Sequence, residues 1–195
     1  KRFKALIARG GRVIWLNPRR TETAKQVGEH HFIRPDTDVF FMLAFLHALI
    51  ETGSVDEQRV NRTMTGWDIV KKLVTPWSPE RVEPVTRVPA TTVREWVSQY
   101  VAADGAALYS STGVNQGSHG SLAFWLQEVI NAASGNLDRR GGTLVGSGIV
   151  DVSKFNRFDP AKSPETFRLA NIPLVMGAVP AGVLADDILT PGAGQ

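Results

Sequence analysis

The 195-residue chain contains no cysteine. Disulfides, thiolate-bound zinc and cysteine-ligated iron–sulfur clusters are therefore excluded within it. Dense positive charge is missing too. The net charge is +3, and basic residues are scattered apart from the pairs Arg19-Arg20, Lys71-Lys72 and Arg139-Arg140. A nucleic-acid surface needs a continuous basic stripe, so no nucleic-acid partner is expected. The longest apolar run, residues 39–50 with His47 inside it, is too short to span a bilayer. No membrane span is expected, no signal peptide is visible, and a cytoplasmic location is the expectation. Two nucleotide fingerprints are absent as well. No strand–turn–helix carries G-x-G-x-x-G, and there is no P-loop. Gly10-Gly11 comes before the first expected strand, and "GTLVGSG" has no helix after it. The four histidines, at 30, 31, 47 and 119, show no metal-ligand spacing.

What is present is a globular composition, 43% hydrophobic and 21% charged, in a chain long enough to build a real core. "KRFKALIAR" puts Phe3, Leu6 and Ile7 on one helical face, and Gly10-Gly11 closes that helix. "RVIWLN", 12–17, is a β-branched and aromatic run without polar alternation, the pattern of a parallel strand buried on both faces. "HHFIR" reads as a second strand and "AALYSS", 106–111, as a third. Residues 37–52 read as a helix buried all round, and 56–64 and 66–74 as short helices. Ser78-Pro79 caps another helix, and Pro89 opens an amphipathic one. "TGVNQGSHG" is read as a loop, followed by a helix that Gly135 closes. Strands alternating with helices imply an α/β fold: a Rossmann-like open, mainly parallel sheet flanked by helices. Residues 160–195 hold five prolines and four glycines. They read as an irregular C-terminal arm, with at most one short helix near 180–188. The division expected is a domain over 1–148 and an arm over 149–195.

Open α/β sheets bind ligands beyond the carboxyl ends of their strands. Three segments fall there: Asn17-Pro18-Arg19-Arg20-Thr21, Arg34-Pro35-Asp36-Thr37-Asp38, and Ser111 to Gln116. They supply arginines, carboxylates, amides and hydroxyls, but no nucleophile–base pair, so no catalytic residue and no metal ligand is assigned. That inventory suits a nucleotide. Arg19 or Arg20 forks onto a phosphate, Asn17 bonds a ribose hydroxyl, and Gln116 reaches in from a third strand end. A carboxylate at Asp38 presents two acceptors, matching the paired ring N–H and amino donors of guanine that adenine lacks. Each residue also has a plainer use. Asp36 or Thr37 caps the following helix, Arg19-Arg20 makes a solvated basic turn, and Asn115-Gln116 bonds within its loop.

Taken in order and spacing, these segments resemble the molybdopterin-dependent oxidoreductases of the dimethyl sulfoxide reductase family. "GRVIWLNPRRTETA" is similar to that family's strand with an Asp-Pro-Arg-Arg-Thr end. "HHFIRPDTDVFFMLAFLHAL" is similar to its Arg-Pro-Gly-Thr-Asp segment and following helix. "SSTGVNQGSHGSLAFWLQEVINAASGNLDRRGG" is similar to its Gly-x-Asn-Gln loop, apolar helix and final Gly-Gly, and "SPERVEPVTRVPATTV" to another of its phrases. The likeness covers roughly residues 10–148. Two positions depart from it. Asn17 stands where Asp is common, and Asp36 where Gly is usual.

The resemblance implies a domain that holds the guanosine end of molybdopterin guanine dinucleotide, in its bis form with molybdenum. The residues carried over for cofactor binding are Asn17, Pro18, Arg19, Arg20, Asp36, Thr37 and Asp38, with Thr112 and Gln116 nearer the pterin. Asp38 reads the guanine edge while Asp36 or Thr37 caps the helix. In the family the molybdenum ligand and any iron–sulfur cysteines lie upstream of the strand that matches "RVIWLN". The chain opens on Lys1 within what reads as a helix, so it is expected to be an excised piece of a longer enzyme. Its partners are then the remaining domains of that enzyme and a small redox substrate. Alone it is expected to be inactive. The parent reaction implied is oxygen-atom or hydride transfer at molybdenum. The rival readings are a nicotinamide- or flavin-dependent dehydrogenase domain and a non-catalytic nucleotide-binding or interaction module.

Overall fold

The computed structural model describes residues 1–144, 146, 166–169, 171, 172, 174, 179 and 181–192. The chain divides into two compact units, Lys1–Gly146 and Ser147–Gln195.

The first unit begins with α1 (Arg2–Ala8). The glycine pair ends it as expected: Gly10 N–H donates to Ile7 O and Gly11 N–H to Leu6 O, at 2.9 and 3.0 Å. Strand β1 (Ile14–Leu16) follows, then α2 (Glu22–Gln26), whose first turn is capped by the Thr21 hydroxyl. Strand β2 (Glu29–His31) lies parallel to β1, with Ile14 opposite Glu29 and Leu16 opposite His31. The Arg12 guanidinium donates to both carboxylate oxygens of Glu29 at 2.8–3.0 Å, which pins the start of the pairing.

Helices then build the core: α3 (Asp38–Glu51), α4 (Glu57–Thr63), α5 (Trp67–Val74), α6 (Pro79–Thr86), α7 (Ala90–Ala102), the single turn α8 (Thr112–Asn115), and α9 (Gly120–Ala133). Apolar side chains ring α3 almost completely, so it must be surrounded to be stable in water. It packs against α9, α6, α7 and α5. Leu46 and Leu49 of α3 meet Val93 and Val97 of α7 and Leu126 and Ile130 of α9 in one cluster. Each such leucine contributes about 1.5–3 kcal/mol through burial. His47 is a half-buried core histidine, with Nδ1 3.3 Å from Val74 O.

Three sequence expectations are corrected. The sheet has two strands among the described residues, not three, because residues 106–111 pair with no strand. Their backbone bonds to side chains of α9 and the turn after it. Leu108 exchanges both main-chain hydrogen bonds with the Asn131 amide, and Ala106 N–H donates to Asn136 Oδ1. Strand β1 is half-buried along its length rather than buried on both faces, as befits a two-stranded sheet. The segment 112–120 opens with the helical turn α8, where a loop was expected.

In the second unit, a 3₁₀ turn over Ala181–Val183 leads into α10 (Leu184–Leu189), which overlaps the region near 180–188 where one short helix was expected and ends one residue beyond it. Arg168 donates to the Asp187 carboxylate and to the carbonyls of Asp187, Thr190 and Pro191, gathering the orphan acceptors at the end of α10. Most of the expected arm lies outside the described residues. Among those described, no helix is long and apolar enough to cross a membrane, and no group of three or more His, Asp or Glu residues is placed to hold a metal ion.

Candidate functional site

Parallel pairing brings the carboxyl ends of β1 and β2 to one edge, because adjacent parallel strands point the same way. Asn17 N–H donates to His31 O at 3.1 Å, so the pairing continues one step past β1. Asn17 Oδ1 then accepts from Arg19 N–H at 2.8 Å, and this side-chain turn reverses the chain at Pro18. That bond engages the amide oxygen, and the Asn17 NH₂ donates to no side chain or backbone group among the described residues. Arg19 and Arg20 are exposed and form no ion pair among the described residues. Beside them, His30 Nε2 lies 3.1 Å from Asn17 O, and Phe32, 65% exposed, stands edge-on to the His30 ring.

After β2 the chain drops Ile33 into the core and turns. Arg34 N–H donates to Thr86 O at 2.9 Å, and the Thr37 hydroxyl donates back to Arg34 O at 2.7 Å. Thr37 is buried and its side chain caps nothing. The expectation that Asp36 or Thr37 caps α3 is therefore corrected. The turn consumes the Thr37 hydroxyl, and the Asp36 carboxylate points to a different segment. Its Oδ1 accepts from Ser118 N–H at 2.7 Å, and its Oδ2 lies 2.5 Å from Ser118 Oγ. The hydroxyl bond, then the amide bond, hold the Asp36 carboxyl below its ordinary value, and His119 lowers it further.

Asp38 opens α3. Burial pushes its carboxyl above the ordinary value, and the neighbouring charge of Asp36 adds to that rise. Its own backbone N–H donates to the carboxylate and offsets part of that rise, and among the described residues no other side chain donates to it, so the carboxylate retains acceptor capacity. It lines a notch of about 10 Å³ with Asp36, Val39, Val114, Gly117, His119 and Ala123. That is room for about one water, so the notch is not a closed pocket and the Asp38 carboxylate stands at its rim. A larger open hollow of about 290 Å³ is lined by Asn115, Gly120, Ser121 and Phe124 at the start of α9.

The turn facing Asp38 depends on two glycines. A Cβ on Gly117 would lie 2.6 Å from Asp36 Oδ1, and one on Gly120 would lie 2.1 Å from Asn115 O. Only a bare backbone lets the carboxylate and α8 come so close. Thr112 and Gln116 are exposed on this turn, and Gln116 N–H donates to Thr112 O at 3.0 Å.

The structure thus brings Asp36 into contact with Gly117 and Ser118, and Asp38 to a notch shared with Val114 and His119, while among the described residues no hydrogen bond or ion pair joins Thr112 or Gln116 to residues 36–38. Residues 17–20 share their strand edge with the segment after β2, but no hydrogen bond or ion pair joins them to Asp38. Sequence reasoning missed Ser118 and set His119 aside as a loop residue. The available signal was an acidic residue at position 36, where glycine is usual, together with the run Gly117-Ser118-His119-Gly120.

No family model matches the chain. It is 31% identical over 147 residues to dimethyl sulfoxide/trimethylamine N-oxide reductase of Cereibacter sphaeroides, covering 72% of this chain and 18% of that protein. It is 30% identical over 107 residues to formate dehydrogenase H of Escherichia coli, covering 55% of this chain and 15% of the relative. The molybdopterin-containing subunit of the Salmonella typhimurium thiosulfate reductase is 25% identical over 173 residues, or 84% of this chain and 21% of that subunit. Acetylene hydratase from Pelobacter acetylenicus shares the fold, with a TM-score of 0.63 at 23% identity over 68% of this chain and 18% of that one. The chain therefore spans about a fifth of the length of the relatives it matches. Within that span it is homologous to the molybdopterin oxidoreductases of the dimethyl sulfoxide reductase family.

Proposed function

We propose that residues 1–148 are the molybdopterin guanine dinucleotide-binding domain of a molybdenum oxidoreductase, and that residues 149–195 are an arm packing on the remaining domains of that enzyme. The parallel pair β1–β2 is then part of a Rossmann-like open sheet whose carboxyl edge carries the guanosine end of the cofactor. The bound group supplies redox chemistry at molybdenum, used for oxygen-atom or hydride transfer with a small substrate. Any iron–sulfur cluster belongs outside this cysteine-free chain. Alone, the chain carries no turnover.

The residues divide by chemistry. Asp38 accepts the two donors of the guanine edge. Arg19 and Arg20 neutralise the diphosphate. Asn17 donates its NH₂ to a ribose oxygen, and Pro18 fixes the bend that carries these groups. Thr112 and Gln116 meet the cofactor farther along. Asp36 and Thr37 act through the shape of their turn. One observation carries the reading: a half-buried carboxylate whose oxygens lack another side-chain donor stands where two candidate segments converge. Leaving such a charge with only its own backbone N–H as donor is costly, and a pair of ligand donors relieves it.

Calorimetric titration of the purified protein with GDP, ADP and NAD tests this. A guanine preference of about tenfold or more over ADP is expected, as two charge-assisted hydrogen bonds provide. Equal binding of GDP and ADP, or preference for NAD, overturns the assignment.

A further inference from the structure

Position 36 carries a conformational oddity and a chemical one. Asp36 has φ of +62°, the left-handed region in which L residues other than Asn and Asp are rare. Its carboxylate is exposed yet not left to solvent. It spans 82 positions of sequence to take the backbone N–H and the hydroxyl of one residue, Ser118. Gly117, immediately before, lacks the Cβ that would lie 2.6 Å from Asp36 Oδ1. A left-handed aspartate, a two-point grip and a side-chain-free approach all serve one contact. That contact joins the turn leading into α3 to the turn between α8 and α9, and Asp38, Val114 and His119 line the notch between them.

We propose that Asp36 and Ser118 form a latch fixing the Thr112–Gln116 turn at a set distance from Asp38, and so are positioning residues for the guanine-binding gap. This rests on the reading of Asp38 given above. Glycine at position 36 satisfies the backbone but removes the polar hold on the turn, leaving only the packing of Val114 and His119, so the latch is a device of this chain beyond the ordinary Arg-Pro-Gly-Thr-Asp pattern. A hydrogen bond that adds to the packing of Val114 on the core and of His119 on Phe40 contributes by cutting the ordering cost of binding rather than by touching the ligand.

The test compares GDP affinity in four variants with that of the unmodified protein: Asp36→Gly, Asp36→Asn, Ser118→Ala, and Asp36→Gly combined with Ser118→Ala. Gly and Asn both remove the charge of Asp36, and both tolerate the left-handed backbone, but only Asn keeps an acceptor for Ser118. The latch requires Asp36→Asn to bind GDP about 3-fold or more tighter than Asp36→Gly, a difference of one neutral hydrogen bond. It also requires Ser118→Ala to lose about 2- to 3-fold, and the double variant to match Asp36→Gly alone, since the two residues act as a unit. Amide hydrogen exchange at Ser118 must accelerate in Asp36→Gly while the α3 core amides stay protected.

Equal GDP affinity for the Asn and Gly variants, or losses that multiply in the double variant, overturns the latch. If those results accompany a guanine preference that disappears in Asp38→Asn, the reading of Asp38 stands and only the latch falls. If the unmodified protein shows no guanine preference, that reading falls and the proposed role of the latch goes with it.

Discussion

The side-chain amide of Asn131 pairs with both the N–H and the C=O of Leu108, at 3.0 Å each, while the Tyr100 hydroxyl donates to the same Asn131 oxygen at 2.7 Å. One fully buried side chain on α9 thus does for residue 108 what a neighbouring strand does for a residue in a sheet. The segment that leads to α8 is held straight by a helix, not by a ladder.

Asn131→Ala leaves the two Leu108 backbone groups without their amide partner, removes the acceptor of the Tyr100 hydroxyl, and opens a small void. The expected loss is about 2–4 kcal/mol. In a domain of this size each kcal/mol moves Tm by about 2–4 °C. Tyr100→Phe removes one donor alone and should cost about 1 kcal/mol. Thermal unfolding followed by circular dichroism checks both, and a loss for Asn131→Ala no larger than that for Tyr100→Phe counts against the backbone-pairing role.

This substitution of side chain for strand also explains what the sequence revealed and what it hid. Residues 12–17 and 30–34 announced themselves through β-branched and aromatic runs; β1 forms within the first, while β2 begins one residue before the second and overlaps it only at His30 and His31, because Ile33 turns into the core. The run 106–111 has the same local texture, but its partner is Asn131, and no local pattern distinguishes an asparagine that pairs with backbone from one that does not. The helix over 37–52 was legible because a nearly continuous apolar run admits one solution, a buried helix. At its mouth, the presence of two carboxylates was legible but their tasks were not. Asp36 bonds across 82 residues, a distance at which sequence spacing carries no information.

Arg94 joins three helices. Its guanidinium donates to both Glu80 oxygens, at 2.9 and 3.1 Å, and makes a short ion pair with Glu51 at the end of α3. The hydrogen bonds from Arg94 pull the Glu80 carboxyl down to about 2. A depressed carboxyl stabilises the fold above its unfolded value and stops doing so as pH falls through its folded one. The contribution should therefore be complete above pH 4.5 and vanish towards about pH 2. Solvent screens these half-exposed partners, so Arg94→Met should cost only about 0.5–1 kcal/mol at neutral pH and low salt. Urea unfolding at neutral pH and in acid checks the sign, because the gap between the variant and the unmodified protein must close on acidification.

Gly120→Ala probes the approach of α8 to α9. The added methyl would meet Asn115 O at 2.1 Å, a backbone atom that cannot swing aside as a side chain would. Overpacking of this kind costs about 1–3 kcal/mol. The displaced element is the turn bearing Thr112 and Gln116, so GDP affinity should fall together with stability. Unchanged GDP binding in a destabilised Gly120→Ala protein would mean that this turn does not border the nucleotide.

Asp38 should trade stability for binding. Burial raises its carboxyl above the ordinary value, so the folded state is penalised for ionising it. The penalty is absent below the unfolded carboxyl range and complete once pH exceeds the raised folded value. Asp38→Asn has no charge to bury, so its Tm should exceed that of the unmodified protein at neutral pH and match it in acid. Guanine binding needs the ionised carboxylate and runs the other way. The GDP affinity of the unmodified protein should fall as pH drops through the raised value, at a higher pH than an ordinary aspartate would cause. Asparagine offers one acceptor and one donor where guanine offers two donors, so Asp38→Asn should bind GDP about tenfold or more weakly at neutral pH, with little pH dependence. Melting curves and GDP titrations across the same pH series measure both halves. A variant that is stabilised but keeps full GDP affinity would leave Asp38 a buried charge with no ligand to explain it.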